Sequence, residues 1–252
     1  MLVSAAVCPH PPVLVPAMAG EAAPELGTLR AACDEAVRRL TASEAGRRSP
    51  VDALVVVGGA PATRSYGADA YATLRPYGLA WTVPDEPAPA AAALPLSLTI
   101  GRWLLERGNA GAGARYEAVA FDAPPEECLS LGRRLASSAG RVALLVMGDG
   151  SACRSEKAPG YLDERAVPFD AEAARALGEA DAAALAALDP GLARELRAAG
   201  RAAWQGLAGA AGADTAAGDA AGQGLTAALL AEEAPYGVGY LVASWSRTGY
   251  GC

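Results

Sequence analysis

The 252-residue sequence has few of the residue types that usually build metal centres or basic surfaces. It contains one histidine (His10), one lysine (Lys157) and five cysteines without a CxxC spacing. One chain therefore cannot supply two histidine ligands, and neither a disulfide framework nor a structural zinc site is indicated. The net charge of −7 and the scattered arginines argue against a nucleic-acid partner, since such binding depends on clustered Lys and Arg.

Long apolar runs are also missing. No stretch approaches the roughly 20 apolar residues that a membrane helix requires. The opening segment has no early Lys or Arg and is interrupted by four prolines, so a secretory signal is not expected. Hydrophobic residues nevertheless make up 52% of the chain, which is enough for a large core. These observations predict a cytoplasmic protein with reduced thiols and no membrane partner.

Short all-apolar segments alternate with segments of helical periodicity. Buried strands are predicted at 2–7, 52–57, 114–121, 141–147 and 236–245, and helices at 24–45, 96–107, 124–138, 170–188 and 190–207. Asp170 and Asp189 are predicted helix N-caps, and Gly58-Gly59 is expected to end the second strand. The Ala/Gly-rich segment 208–224 is interpreted as loosely structured.

This alternation predicts an α/β fold. Strands that are apolar throughout suit a sheet covered on both faces. No linker or repeat divides the chain, so residues 1–252 are interpreted as a single layered domain, with a mostly parallel or mixed central sheet and helices on both faces.

Three strand-end segments have unusual compositions. They read CPHPPVLVP at 8–16, GDGSACR at 148–154 and EAPYGVGY at 233–240, with Gly160-Tyr161 and Phe169-Asp170 between the last two. In this order they resemble the class III extradiol ring-cleavage dioxygenase family of the LigB type and its Memo-like relatives. The resemblance spans essentially the whole chain, and its last segment is the most specific.

The resemblance implies that active relatives hold Fe(II) with two histidines and a carboxylate, and that a further histidine transfers protons. His10 falls on the first of these ligands. Ala60-Pro61 stands where the second histidine is expected, Ala152-Cys153 replaces the histidine of the G-D-x-S-H segment, and Arg201 stands at the carboxylate. We therefore expect no family-type iron site and no cofactor. The alternative is Fe(II) or another divalent metal held by His10 with unconventional ligands such as Asp149 or Glu233.

Each candidate residue also has a purely structural interpretation. His10 is either an acid, base or lone metal ligand, or a relic that is hydrogen-bonded at a strand end. Cys153 and Cys8 are either nucleophiles or, as the missing Cys/His signature favours, small apolar fillers. Asp149 and Ser151 either bind a polar ligand or cap a turn.

The remaining candidates follow the same two interpretations. Glu233, Tyr236 and Tyr240 either line the pocket or belong to a segment needed for strand packing. Arg154 and Lys157, together with Arg201, would make the former iron pocket positive if the three cations converge, and would then favour an anionic ligand.

Three functions remain open. The first is a descendant of the dioxygenase fold that has lost its metal and binds a small anionic or aromatic metabolite. The second is a divergent Fe(II) ring-cleavage dioxygenase, and the third is a hydrolase or transferase based on Cys153 or His10. The resemblance also implies a homodimer.

Overall fold

A seven-stranded mixed sheet forms the centre of the protein, and a computed structural model describes residues 1–40, 51–213 and 224–247. The strands are β1 (Leu2–Cys8), β2 (Ala53–Ala60), β3 (Arg64–Tyr66), β4 (Ala72–Thr73), β5 (Thr82–Val83), β6 (Arg115–Ala120), β7 (Val142–Met147), β8 (Leu225–Glu233) and β9 (Tyr240–Arg247). The central sheet has the order β3-β6-β2-β7-β1-β9-β8, and β4 and β5 form a separate pair. The predicted α/β class with a mixed central sheet is confirmed.

The strand directions bring several chain segments to one edge of the sheet. Strands β6, β2, β7 and β1 are parallel neighbours, so their carboxyl ends lie side by side. Strand β9 is antiparallel to β1 and begins at that edge, and β8 ends there. We call this edge the carboxyl edge. Ligands of open α/β sheets bind outside the carboxyl ends of the strands, so this is where a site is expected.

Helices cover both faces of the sheet. The α-helices of the described residues are α1 (Pro16–Ala19), α2 (Gly27–Leu40), α3 (Leu96–Arg107), α4 (Pro125–Ala136), α5 (Ala166–Glu179), α6 (Ala182–Ala186), α7 (Pro190–Glu195) and α8 (Arg201–Ala210). Alternate residues of β7 belong to two buried clusters because successive strand side chains point to opposite faces. Val142, Leu144 and Val146 pack with α4, α5 and α8. Ala143, Leu145 and Met147 pack with α2 and α3.

The prediction of two helices at 170–188 and 190–207 is wrong, because the chain forms four helices between Ala166 and Ala210. Ala180 and Arg197 adopt left-handed φ values of 55° and 54°, which interrupt the helical path. Asp189 caps α7 by accepting a hydrogen bond from the Leu192 N–H, as predicted. Asp170 is not an N-cap, since it lies inside α5 and is fully buried.

Two further boundaries differ from the predictions. Strand β2 does not end at Gly58-Gly59 but continues to Ala60, pairing with β6. These glycines leave room for packing, since a Cβ on Gly58 would lie 2.5 Å from the Ser97 hydroxyl, and one on Gly59 would overlap the Phe121 ring. Strand β9 begins four residues later than predicted, and β8 was not predicted.

The segments predicted to be irregular are only partly covered by the structure. Helix α8 continues to Ala210, so the start of the 208–224 segment is regular, and 214–223 lie outside the described residues. The predicted end of the first helix, 41–45, also lies outside them. None of the helices in the described part of the chain combines the length and apolarity needed to cross a membrane.

Candidate functional site at the carboxyl edge

His10 and Asp149 form a buried pair at the carboxyl edge, in the loops that follow β1 and β7. The His10 backbone N–H donates to Asp149 Oδ1 over 2.7 Å. The ring nitrogen Nδ1 lies 3.6 Å from the same oxygen, which is too long for a hydrogen bond. The side chains of His10 and Asp149 are only 7% and 15% exposed. The two loops therefore place an imidazole and a carboxylate together across 139 residues of sequence.

Nδ1 of His10 is buried and makes no hydrogen bond in the described part of the chain. Buried polar atoms in folded proteins are almost always hydrogen-bonded, so an exception calls for an explanation. The carboxylate of Asp149 accepts from the His10 backbone N–H. In this position its Oδ1 atom stays 3.6 Å from the ring nitrogen Nδ1, beyond hydrogen-bond distance. A small movement of the ring would close the gap, and catalytic hydrogen bonds are often long before a ligand binds.

Two tyrosines extend this site. Tyr240, the first residue of β9, is 3% exposed, and burial raises the pKa of its hydroxyl, with further contributions from nearby Asp149 and Tyr236. The Tyr236 hydroxyl donates to Glu25 over 3.0 Å. Glu233 lies partly buried at the end of β8, paired with Tyr240 across the two strands. The sequence-predicted Glu233–Tyr240 segment therefore does border the carboxyl edge.

Ser151 and Arg154 donate hydrogen bonds to a buried carboxylate, Asp170. The sequence did not identify Asp170 as a site residue. The Ser151 N–H and hydroxyl donate to Asp170 over 2.7 and 3.1 Å, and Arg154 Nη1 donates over 3.0 Å. Burial raises the pKa of Asp170, although these donors act against the shift. A Cβ on Gly150 would lie 2.6 Å from Asp170 Oδ1, so that glycine makes room for it. Arg154 and Ser151 thus fix the loop after β7.

Arg201 does not join His10. Its guanidinium donates to the carbonyls of Phe121 and Ala123, in the loop between β6 and α4, and to Gln205. The residue that faces the carboxyl edge beside Asp149 is Gly200, whose N–H donates to the Asp149 carbonyl over 2.7 Å.

The predicted convergence of Arg154, Lys157 and Arg201 is therefore wrong. Arg154 is paired with Asp170, and Arg201 points into the β6–α4 loop. Lys157 is an exposed residue of the loop that follows β7. The carboxyl edge around His10 consequently carries a carboxylate and tyrosine hydroxyls in place of a cluster of cations.

The geometry supports the filler interpretation of the cysteines. Cys153 is 2% exposed and its thiol points at the carbonyls of Gly160 and Leu196. Burial raises its pKa, which opposes the thiolate that a nucleophile needs. Cys8 is fully buried within β1 and contacts Cys33, whose pKa is raised by this contact and by burial.

The donors at the carboxyl edge do not fit an iron centre of the type that the resemblance implies. His10 and Asp149 supply one nitrogen and one carboxylate, and Ala60, which ends β2 where a second histidine is expected, carries no side-chain donor. In the described ranges, no group of three or more His, Cys, Asp or Glu side chains is arranged to hold a metal ion.

Comparisons with known proteins identify a fold. No protein-family model and no curated protein matches the sequence. The chain is similar in structure to the uncharacterized protein JW3007 from Escherichia coli K12, with a TM-score of 0.58 and 12% sequence identity. The match covers 97% of this chain and 99% of that chain. At this identity the likeness shows the α/β fold alone.

Proposed function

We propose that this protein binds a small hydroxyl-bearing aromatic molecule at the carboxyl edge, where His10 accepts the hydroxyl proton. We also propose that it descends from the class III extradiol dioxygenase fold and lacks that family's Fe(II) site. One observation carries the proposal: the buried Nδ1 of His10 is without a hydrogen-bond partner among the described residues and lies 3.6 Å from the Asp149 carboxylate. This pair sits where α/β sheets bind their ligands.

The pair is suited to accepting a proton. With Nδ1 facing Asp149, the ring nitrogen that remains for a ligand is Nε2. Proton transfer to Nε2 makes an imidazolium, and closure of the gap to Asp149 stabilises that cation. A hydroxyl on the ligand is the group that this arrangement can polarise.

The surrounding charges favour a neutral hydroxyl over an anion. Asp149 is a carboxylate within the site, and Arg154, a cation of the same loop, is neutralised by Asp170. Tyr236 and Tyr240 supply aromatic rings and hydroxyls, which suit an aromatic ligand with polar substituents. The anionic ligand that the sequence also suggested has no support at this edge.

We place this protein in a reducing compartment such as the cytoplasm. Four cysteines in the described residues, Cys8, Cys33, Cys128 and Cys153, are free thiols. Disulfides persist in oxidising compartments, and buried free thiols are typical of reducing ones.

His10 makes the proposal directly testable, because it is the only histidine in the sequence. In protein labelled with ¹⁵N-histidine, the imidazole signals report one ring. Titration with catechol should shift both ring nitrogens and saturate, whereas benzoate, an anion of similar size, should shift them less. A His10 spectrum that is unchanged at millimolar catechol would overturn the proposal.

A matched pair of variants tests the role of the carboxylate. Asp149→Asn keeps an oxygen to accept from the His10 N–H, removes the charge and replaces the second oxygen with an NH2 group. A hydrogen bond to a charged group contributes about 1–1.5 kcal/mol more than one to a neutral group, so this variant should bind catechol about 5- to 10-fold more weakly. Asp85→Asn, an exposed residue in the loop between β5 and α3, should bind as the wild type does. Equal catechol affinities of the wild type, Asp149→Asn and Asp85→Asn would show that Asp149 takes no part in binding.

A further inference from the structure

A half-open cavity of about 320 Å³ lies beside the loop between β6 and α4. It is lined by Asp122 and Pro124 of that loop, by Pro190 and Gly191 at the start of α7, and by Arg194 and Arg201. Its volume is at the small end of the range for ligand sites, so it suits an ion or a small metabolite. None of these residues belongs to the His10–Asp149 pair.

Arg201 brings a buried, uncompensated positive charge to this cavity. The residue is 2% exposed, and in the described ranges no carboxylate forms an ion pair with it. Its two terminal nitrogens donate to neutral acceptors, and its Nε is buried without a partner. Neutral carbonyls orient the guanidinium but do not balance its charge. A buried charge is costly unless it is paired, so an anion in the cavity would offset this cost.

The position of Arg201 in its helix adds to the local positive potential. Arg201 is the first residue of α8, and its N-cap, Gly200, has no side chain to accept from the helix N–H groups. No acidic residue occupies the first turn. Because the N-terminus of a helix carries a partial positive charge, a cation there is unfavourable and an anion is favoured.

The other charged groups of the lining are a second guanidinium and one carboxylate. Arg194 is exposed, and no ion pair or side-chain hydrogen bond holds it among the described residues. Asp122 is also exposed, and within the described ranges no ion pair joins it to either arginine. Two cations therefore outnumber one carboxylate, and the more buried of the charges is positive.

We propose that this cavity binds a small oxyanion, a phosphate or a carboxylate, between the buried guanidinium of Arg201 and the exposed guanidinium of Arg194. Arg201 then has two roles: it fixes the β6–α4 loop through the carbonyls of Phe121 and Ala123, and it supplies the charge that holds the anion. Arginine is suited to both, since its planar fork binds several oxygens at once.

Isothermal titration calorimetry of the full chain with inorganic phosphate and with succinate, at low ionic strength, tests the site. The wild type should bind at least one of them, and the stronger of the two identifies the anion. Arg194→Gln should weaken binding about 2- to 5-fold, as expected for an exposed charge. Asp122→Asn should strengthen it by a similar factor because it removes the only carboxylate among the lining residues.

Two further variants separate a specific site from general surface attraction. Arg134→Gln removes an exposed cation from α4 outside the cavity and should leave binding unchanged. Arg201→Lys keeps the positive charge and loses the planar guanidinium, so it should weaken anion binding about tenfold or more. Because Arg201 also holds the β6–α4 loop, urea unfolding of this variant must show that it is still folded. Binding of neither anion by the wild type would overturn the proposal. So would equal weakening by Arg194→Gln and Arg134→Gln.

Discussion

The contact between α4 and α8 yields a sharp prediction for Gly132. A Cβ at this position would overlap the carbonyl oxygen of Gly206 and lie 2.6 Å from the Ala210 nitrogen. Both are backbone atoms, so only a shift of the whole helix can relieve the overlap. Overpacking of this kind costs about 1–3 kcal/mol or more, and alanine's better helix propensity offsets at most about 1 kcal/mol. Because the overlapped atoms are backbone, we expect the upper end of this cost, so Gly132→Ala should destabilise the protein by a net amount of about 2 kcal/mol or more.

Gly206 provides a matched control in the facing helix. A Cβ there would meet its nearest atom, the Cys128 carbonyl oxygen, at 3.9 Å, which is ordinary contact. Gly206→Ala should thus stabilise the protein by about 0.5–1 kcal/mol through helix propensity alone. Urea unfolding followed by tryptophan fluorescence measures both, because Trp204 is buried in the same helix. Equal or greater stability of Gly132→Ala than of the wild type would refute the close approach of the two helices.

Three other outcomes are expected. Because burial raises the pKa of Asp170, the stability it contributes is full below its unfolded pKa and falls as pH rises through the folded value. The advantage of the wild type over Asp170→Asn in urea unfolding should therefore decline upward from about pH 4, and an advantage that grows would contradict this. Burial raises the pKa of Cys128 to about 11 and also raises that of Cys153, so iodoacetamide at neutral pH should label neither thiol by mass spectrometry until the protein is unfolded; rapid labelling of the native protein would contradict this. Anaerobic reconstitution with Fe(II) should leave far less than one iron per chain by elemental analysis, whereas one equivalent would mean that ligands were overlooked.

The parts of the fold that the sequence predicted are those with strong local patterns. Helix α3 was predicted with the bounds Leu96–Arg107 that the structure shows, and the apolar runs of β1, β2 and β7 were recognised. Strand β8 was missed because it is an alanine-rich edge strand whose residues are mostly half-buried or exposed. An edge strand has one neighbour to pack against, so it needs no continuous apolar run.

The breaks after α5 depend on backbone conformation that the residue types do not indicate. Ala180 and Arg197 adopt left-handed φ values, which glycine and asparagine favour and alanine and arginine do not. The alanine-rich sequence therefore predicts two long helices, at 170–188 and 190–207, where the structure has four shorter ones. The surrounding packing imposes the breaks, and single-residue preferences do not reveal them.

The candidate site was predicted residue by residue but not as an arrangement. His10 and Asp149 were each identified at strand ends, yet their contact follows from the pairing of β1 with β7, which local patterns do not specify. Asp170 was interpreted as a cap because acidic residues are common there. Its true role depends on the space that Gly150 leaves for it. The direction of the Arg201 side chain likewise depends on tertiary packing around the β6–α4 loop.

The placement of β1 has a consequence for how the protein is made. This early strand lies between β7 and β9, two strands that come much later in the chain. At about 5–20 residues per second, roughly 10–50 s of synthesis separate β1 from β9. Until β7 is made, β1 has neither of these sheet neighbours, and until β9 is made it has only one, so its unpaired edge is open to pairing with other chains. The His10 loop follows β1 directly, so we expect the proposed ligand site to be complete only after β9 has paired with β1.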